Sequence, residues 1–168
     1  MIIDDAELVA AAKLGDHEAF EELVRRTYAE TFTMARRLMS NEEDARDVTQ
    51  EVYLRAWRGI GNFRGDAQFT TWLYRITANC ANTHLKRRRR LRTEPLDEFH
   101  DPAEVRQEGQ PAAAVEAADL LERVSVAIGE LPEKLRQVVV LRDVYGLGHD
   151  AIAEELGISV TAAKVRLH

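Results

Sequence analysis

The sequence contains one cysteine and no run of apolar residues long enough to cross a membrane. A single cysteine excludes a framework of internal disulfides, and the lack of an apolar run of about 18 residues excludes a transmembrane helix. The N-terminal sequence MIIDDAELV has no cleavable signal pattern. These absences favour a cytoplasmic protein without membrane contact of its own.

The sequence also has little that is typical of an enzyme. It contains no glycine-rich phosphate-binding loop, no nucleophile elbow and no cysteine pair. Its five histidines are scattered, and the segment HDAIAEEL lacks the HExxH spacing of a zinc site on a helix. Cys80 falls on an apolar face, where a lone thiol usually serves packing. We therefore expect no catalytic residue, no cofactor and no bound metal.

Charge is unevenly distributed along the chain. The formal net charge is -6, which argues against a nucleic-acid binder, for which a basic surface is typical. However, six of the 23 basic residues lie between Lys86 and Arg92, directly before an acidic stretch from Glu94 to Glu108. A basic cluster suits a helix C-terminus and also an anionic polymer. The net charge therefore does not exclude nucleic acid as a partner.

Apolar residues recur at three- and four-residue steps through most of the chain, which predicts an all-α protein. Before residue 92 this pattern predicts one short helix up to Leu14 and three long helices, of which the second runs from Asp44 to Arg58. Ser40 and Glu43 have the spacing of a capping box at the start of that second helix. Residues 1–92 are therefore predicted to form a first helical domain.

Residues 93–114 hold three of the four prolines and no sustained apolar period, which predicts a flexible linker. Helical periodicity returns in residues 115–168, where Pro132 suits a first helical position and opens a helix up to Tyr145. The turn at Gly157 and a cap at Ser159 then predict a helix-turn-helix, whose second helix normally enters the major groove of DNA. The chain is thus predicted to form two small helical domains joined by a linker.

Three segments of the chain resemble one bacterial protein family. They are DARDVTQEVYLRAW, FRGDAQFTTWLYRITAN and LPEKLRQVVVLRDVYGLGHDAIAEELGIS, in that order. Together they resemble the extracytoplasmic-function (ECF) group of sigma factors, over nearly the whole chain. The resemblance implies a first domain like sigma region 2 and a second domain like sigma region 4. It also implies that the protein binds core RNA polymerase and directs promoter-specific transcription initiation.

The helix 44–58 carries the surface that the resemblance assigns to polymerase. Its apolar stripe is predicted to face the core, which leaves Asp47, Gln50 and Glu51 on other faces. On pattern alone these residues form a solvated helix surface. In similar sigma factors an acidic, amide-bearing face docks on the clamp helices of the polymerase β′ subunit, where complementary charge favours fast and specific assembly. The resemblance therefore implies that these three residues bind polymerase.

The following loop and helix carry the expected contacts to the minus-10 promoter element. On spacing alone Phe63, Phe69 and Trp72 are more typical of a core, and we assign Phe69 and Trp72 mainly to it. By resemblance, the loop 63–68 and the helix around Asn79 open the minus-10 element and hold an extruded base, which an aromatic platform stabilises by about 1–3 kcal/mol. The residues expected to bind minus-10 DNA are Phe63, Arg64, Asp66, Arg75, Asn79, Asn82, Lys86, Arg87 and Arg88, of which Arg75, Asn79, Asn82 and Lys86 are predicted to share one outward face.

The last helix is expected to bind the minus-35 element. Ala163 and Leu167 are predicted to face inward, and lysine and arginine on the other side suit phosphate or base contacts. The resemblance implies that the exposed residues read minus-35 DNA and that this domain contacts the polymerase β flap. Relatives often have a hydroxyl residue at position 165 and continue beyond position 168 with further basic residues, so the resemblance implies an incomplete last helix. The expected contacts are Thr161, Lys164, Val165, Arg166 and His168.

Two other functions are compatible with part of the sequence. A stand-alone helix-turn-helix regulator usually dimerises to read paired half-sites, and it has no need of the docking helix and loop in residues 1–92. A decoy that binds polymerase without initiating is the third interpretation. In the ECF group an anti-sigma factor commonly sequesters such short factors, so the resemblance also implies an anti-sigma partner.

Overall fold

The computed structural model describes residues 4–39, 41–91 and 112–168, except for the side chains of 112–118. Within these ranges every regular element is helical and none is a strand, which confirms the predicted all-α fold. No helix of the described chain is both long and apolar enough to span a membrane. The helices are α1 (Asp5–Lys13), α2 (His17–Leu38), α3 (Glu42–Gly59), α4 (Phe69–Leu91), α5 (Ala112–Glu130), α6 (Glu133–Val139), α7 (His149–Leu156) and α8 (Val160–Leu167).

The starts of the first helices follow from short polar residues. Asp16 caps α2 by accepting a hydrogen bond from the Ala19 amide at 3.1 Å, as expected for this residue type at a helix N-terminus. In α3 the cap is Asn41, whose side chain accepts a hydrogen bond from the Asp44 amide at 2.8 Å. The predicted capping box of Ser40 and Glu43 is therefore not the start of α3, and Ser40 itself lies outside the described residues.

Helices α1 to α4 enclose one apolar core. Leu23 and Leu38 of α2 are completely buried, and Leu73 of α4 is 1% exposed. The predicted stripe of α3 joins them, since its four residues are at most 2% exposed: Ala45, Val48, Val52 and Ala56. Burial of this stripe fixes the rotation of α3 about its axis and therefore decides which of its side chains face outward.

Helices α3 and α4 pack side by side and run in opposite directions. Asp44 at the start of α3 contacts Arg88 near the end of α4, and Arg55 further along α3 contacts Asn79 in the middle of α4. A short 3-10 turn at Ile60–Asn62 and the loop 63–68 connect the two helices. This antiparallel pair places the outward face of α3 next to the polar face of α4.

The second half of the chain contains the predicted helix-turn-helix. Helices α7 and α8 are joined at Gly157, whose φ of +64° lies in the left-handed region that favours glycine, and Ser159 caps α8 by accepting a hydrogen bond from the Ala162 amide. Two boundaries differ from the prediction. Pro132 precedes α6 as its cap, and α6 gives way at Val140–Val144 to a π-helical turn.

Helix α5 begins at Ala112. The linker was predicted to extend to residue 114, so the helix starts three residues earlier than expected. Residues 112–114 are alanines, which have the highest helix propensity of all residues, so they extend the helix instead of the linker. The rest of the predicted linker, residues 93–111, lies outside the described chain.

The two helical groups are in contact, because α7 packs against α4. Tyr145, which follows the π-helical turn, also reaches the first group: its ring lies 4.9 Å from that of Tyr74 and its hydroxyl accepts a hydrogen bond from Arg37 at 2.9 Å. The sequence left the relative arrangement of the two groups open. The structure thus has a closed arrangement, in which the helix-turn-helix covers part of α4.

Candidate functional site

The outward face of α3 combines acidic, amide and apolar side chains. Asp47 and Gln50 are exposed, and Glu51 is half-buried. Leu54 has the i+7 position relative to Asp47 and is 47% exposed, so it lies on the same face. Leu54 was not among the predicted site residues, although its i+7 spacing from Asp47 was a signal for it. Single exposed apolar side chains are common on protein surfaces, so Leu54 gains interest only from its position on the same face as Asp47, Gln50 and Glu51.

Arg55 lies next to this face and connects it to α4. Its Nε donates to Glu51 Oε1 at 2.7 Å, and its Nη1 donates to Asn79 Oδ1 at 2.9 Å. The hydrogen bond to Glu51 is the main cause that raises the pKa of the Arg55 guanidinium. The sequence analysis missed Arg55 as a site residue. Its i+4 spacing from Glu51 was a signal for the first contact, whereas nothing local indicates the second.

The loop between α3 and α4 presents two of its three expected DNA contacts. Arg64 and Asp66 are highly exposed and lie 3.2 Å apart at Nε and Oδ2. Phe63, in contrast, is only 9% exposed, and its ring centroid lies 5.1 Å from that of Trp72. In the free protein the ring of Phe63 therefore packs in the core, and its contact with minus-10 DNA stays a prediction.

The polar face of α4 is partly covered by α7. Arg75 donates from Nε to Glu155 Oε1 at 2.8 Å and from Nη2 to Glu154 Oε2 at 2.7 Å. Desolvation opposes the charge of Arg75, but the hydrogen bonds and charges of Glu155 and Glu154 together outweigh it, so the pKa of Arg75 is raised. Asn82 is 6% exposed, and its Nδ2 donates to the Glu155 carbonyl oxygen at 3.2 Å. The prediction that Asn82 faces outward is therefore wrong in this arrangement.

The basic end of α4 divides into free and paired side chains. Lys86 and Arg87 are exposed. Arg88 is half-buried and donates from Nη1 to Asp44 Oδ2 at 2.9 Å, while His84 Nε2 lies 3.0 Å from Asp44 Oδ1. Arg88 thus bonds α4 to the first turn of α3, where a carboxylate also suits the helix dipole.

A groove of about 400 Å³ lies at the junction of α3, α4 and α7. It brings together two of the expected minus-10 contacts, Arg75 and Asn79. The ring of Trp72 and the guanidinium of Arg55 also line it. The groove is lined by Arg55, Trp72, Arg75, Ile76, Asn79 and Glu155. Donor groups beside an aromatic face are the features by which proteins hold an unstacked base.

The outer face of α8 is as the sequence predicts. Ala163 is completely buried and fixes the rotation of the helix. Val165 is 68% exposed at the centre of the outer face, and Arg166 at its edge is half-buried. The other expected contacts are all exposed: Thr161, Lys164 and His168.

The described residues hold no group of three or more histidine, cysteine, aspartate or glutamate side chains that is arranged to bind a metal. Cys80 is 3% exposed, and burial raises the pKa of its thiol to about 11. A buried, protonated thiol is unreactive and packs as a small apolar side chain.

Two family models match the chain. Sigma-70 region 2 matches residues 23–91, and Sigma-70, region 4 matches residues 121–168. The first match contains α3, α4 and most of α2, and the second contains the helix-turn-helix. All three surfaces described above therefore fall within the matched residues.

Curated relatives match along nearly the whole chain. The RNA polymerase sigma-H factor of Pseudomonas aeruginosa is 32% identical over 97% of this chain and 88% of its own length. The ECF RNA polymerase sigma factor SigM of Mycobacterium tuberculosis is 36% identical, with coverages of 96% and 78%. The ECF RNA polymerase sigma-E factor of Escherichia coli is 31% identical, with coverages of 98% and 89%.

Two solved structures have a similar fold. CnrH, solved in complex with the cytosolic domain of CnrY, is 30% identical with a TM-score of 0.57, over 97% of this chain and 89% of that chain. The sigma factor RpoE of Bartonella quintana, solved in complex with the anti-sigma factor NepR, has a TM-score of 0.58 at 19% identity, over 88% and 89% of the two chains. At that identity the second similarity supports the fold alone.

Proposed function

Because the chain belongs to the ECF sigma factors of the sigma-70 family, we propose that its three exposed surfaces divide the steps of promoter-specific initiation among them. Proteins of this family bind RNA polymerase and promoter DNA and regulate transcription. We assign docking on polymerase to α3, reading of the minus-10 element to the loop 63–68 and α4, and reading of the minus-35 element to α8. The antiparallel contact of α3 and α4 is the observation that carries this assignment, because it puts a docking face and a DNA face on one rigid bundle.

The docking face consists of Asp47, Gln50 and Glu51 around Leu54. The first two are exposed, and the apolar side chain of Leu54 is 47% exposed beside them. The carboxylates would steer the factor toward a basic surface and fix its orientation. Leu54 would supply the apolar contact that becomes desolvated on binding. The partner surface is that of the β′ clamp helices of core RNA polymerase.

The minus-10 surface uses the part of the groove beside Asn79 that α3 and α4 form without α7. Trp72 lines this groove, so a base flipped into it meets an aromatic ring, whereas Phe63 is buried. Flipping a base costs a few kcal/mol, and stacking returns about 1–3 kcal/mol. Arg64 and Asp66 contribute from the exposed loop, and the strand would continue along α4 past Lys86 and Arg87.

DNA can occupy this surface only after α7 has left α4. In the closed arrangement Glu155 holds Arg75 and covers Asn82, and a carboxylate competes with a phosphate for the same guanidinium. Separation of the helix-turn-helix from the first bundle also allows α8 to reach the minus-35 element while the first bundle is at the minus-10 element. In that open state the second domain would contact the polymerase β flap. Residues 93–111, which precede α5, would act as the spacer between the two DNA contacts.

We further propose that an anti-sigma factor holds this protein inactive in the cytoplasm, where polymerase and promoters are found. CnrH, which is 30% identical, was solved together with the cytosolic domain of a second protein, CnrY, and that similarity supports the proposal. Purification of the tagged protein from its native host, followed by identification of stoichiometric partners, tests it. Recovery with polymerase alone under all growth conditions would contradict it.

Under the proposed function the protein itself needs no catalytic chemistry, because it acts through the active site of polymerase.

In vitro transcription tests the main proposal. Purified core RNA polymerase is incubated with genomic fragments of the host, with and without this protein, and the RNA products are sequenced. We expect discrete transcripts that require the protein and that start downstream of two shared sequence elements. Binding to duplex DNA without initiation would instead support a stand-alone helix-turn-helix regulator, and binding to polymerase without initiation would support a decoy.

A further inference from the structure

Arg55 makes two hydrogen bonds of different kinds with one guanidinium group. The bond to Glu51 stays on α3, at 2.7 Å, and the bond to Asn79 crosses to α4, at 2.9 Å. Arg46 makes the corresponding i+4 pair with Glu42 on the same helix. That pair is exposed and stays within α3, so it is a surface ion pair of the kind that contributes little. Arg55 differs in that it bonds to a side chain proposed to read DNA.

The chemistry of the guanidinium fixes the orientation of the Asn79 amide. Arginine is donor-only, so the atom of Asn79 that accepts its hydrogen bond is the carbonyl oxygen Oδ1. The Nδ2 group then lies on the other side of the amide, with N–H donors that remain for a ligand. An asparagine without this restraint can present either its oxygen or its nitrogen, because the amide can rotate by half a turn.

We infer that Arg55 is a positioning residue for the minus-10 contact: it holds Asn79 so that the amide presents hydrogen-bond donors to the base in the groove. The inference rests on the proposed function, since it assumes that Asn79 meets a base. It adds a chemical class of ligand, namely a base whose edge offers an acceptor, such as a carbonyl oxygen or an unprotonated ring nitrogen. Glu51 completes the arrangement by restraining Arg55 from the docking side.

The same contacts connect polymerase docking with base reading. Glu51 belongs to the docking face, Arg55 is bonded to it, and Asn79 is bonded to Arg55. The side chain of Arg55 is 38% exposed and lines the groove of Asn79, so it is accessible from the DNA side as well. A polymerase contact that fixes Glu51 therefore also restrains Arg55 and, through it, the amide that faces the base.

The test is a base-preference measurement with the complete holoenzyme. Core polymerase and the full chain transcribe a template library in which the minus-10 element of one active promoter is randomised, and the transcripts are sequenced. The variants are Asn79→Ala, Arg55→Met, Arg55→Lys and the double variant Arg55→Met/Asn79→Ala. Arg46→Met is the matched control, because it removes an i+4 pair from the same helix without touching α4.

We expect Asn79→Ala to reduce base preference at one position by about threefold to tenfold, the effect of one hydrogen bond. Arg55→Met should reduce the preference at the same position, and the double variant should show no further loss. Arg55→Lys keeps the charge but lacks the planar fork, so it should lose part of the preference. Arg46→Met should retain the wild-type preference.

Three outcomes distinguish a failure of the inference about Arg55 from a failure of the proposed function on which it rests. If Arg55→Met lowers transcription of all templates equally and keeps the base preference, Arg55 is only structural and the inference is wrong. If Asn79→Ala keeps the base preference, Asn79 does not read the base, and the inference about Arg55 is also wrong. If the wild-type protein initiates on no template, the proposed function itself fails. Should Arg55→Met fold poorly, as judged by its melting temperature, Arg55→Lys decides the first outcome by the same comparison.

Discussion

Arg75 on α4 and Glu155 on α7 form a hydrogen-bonded ion pair, with 2.8 Å between Nε and Oε1. The pair joins the first bundle to the helix-turn-helix. Its arginine is also one of the proposed minus-10 contacts, and under that proposal the Glu155 carboxylate would compete with a DNA phosphate for the same guanidinium. The proposed function therefore requires this ion pair to separate before Arg75 binds minus-10 DNA.

Glu155→Lys should open the closed arrangement, because it replaces the attraction to Arg75 by repulsion between like charges. We expect the ratio of open to closed molecules to rise about tenfold, which corresponds to about 1.4 kcal/mol. Small-angle X-ray scattering of the free protein should then give a larger radius of gyration. Glu21→Lys, an exposed substitution on α2, is the control for the charge change. An unchanged radius in Glu155→Lys would mean that this ion pair does not hold the two groups together.

Arg87→Ala and Arg88→Ala should have different effects although they are neighbours. Arg87 is exposed, so its loss should leave stability nearly unchanged and make the salt dependence of promoter binding less steep by about 0.9 in the log–log slope, if it contacts one duplex phosphate. Arg88 is bonded to Asp44, so its loss should lower the free energy of unfolding by about 1–2 kcal/mol. Urea denaturation measures the free energy of unfolding of each variant. Promoter binding at several salt concentrations measures the log–log slope. Equal stability of the two variants would contradict the structural role of Arg88.

Leu54→Ala should weaken binding to core polymerase about tenfold without lowering the melting temperature. The side chain is 47% exposed in the free protein, so its truncation removes little folded-state packing but does remove the apolar contact of the docking face. Leu14→Ala is the control, since Leu14 is 91% exposed at the end of α1 and is not one of the docking-face residues. If both variants bind polymerase as the wild type does, Leu54 is not part of the docking face.

Cys80 should resist alkylation in the folded protein. Burial raises the pKa of its thiol from 9.0 to about 11, so at pH 8 the folded protein has about a hundredfold less thiolate than an unfolded chain. Iodoacetamide labelling followed by mass spectrometry should therefore be slow in buffer and fast in urea. Rapid labelling of the folded protein would contradict the buried position.

The same pKa shift predicts a pH dependence of stability. A raised pKa in the folded state means that folding favours the protonated thiol. Its contribution is therefore fully present below pH 9 and is lost as the pH rises toward about 11. The difference in unfolding free energy between the wild type and Cys80→Ala should decrease over this range. A constant difference would show that Cys80 does not titrate as described.

Sequence periodicity predicted much of the site because it reports which face of a helix is buried. The stripe of α3 and the inward position of Ala163 in α8 follow from local spacing, and both are buried in the structure. Three features depend on distant contacts and could not be read locally. α7 covers Asn82, Phe63 buries its ring against Trp72, and Arg55 reaches Asn79 across 24 residues of sequence.

Helix caps and turns show a second limit of structure prediction from the sequence. Ser40 and Asn41 are both good N-cap residues, so the spacing to Glu43 favoured the wrong one. The predicted helix from Glu133 to Tyr145 is α-helical to Val139 and continues as a π-helical turn to Val144, a change that no proline or glycine marks. The choice between neighbouring cap residues and the change from α-helix to π-helix depend on packing and not on propensity.

Binding to core RNA polymerase tests the central claim most directly. The protein carries a fluorophore at its N-terminus, since the lone cysteine is buried, and fluorescence anisotropy is recorded as core enzyme is added. We expect saturable binding by the wild type and by Glu21→Ala, and a dissociation constant at least about tenfold higher for Asp47→Ala and for Gln50→Ala/Glu51→Ala. No binding by the intact, folded protein, together with affinity for duplex DNA alone, would contradict the account and support a stand-alone regulator.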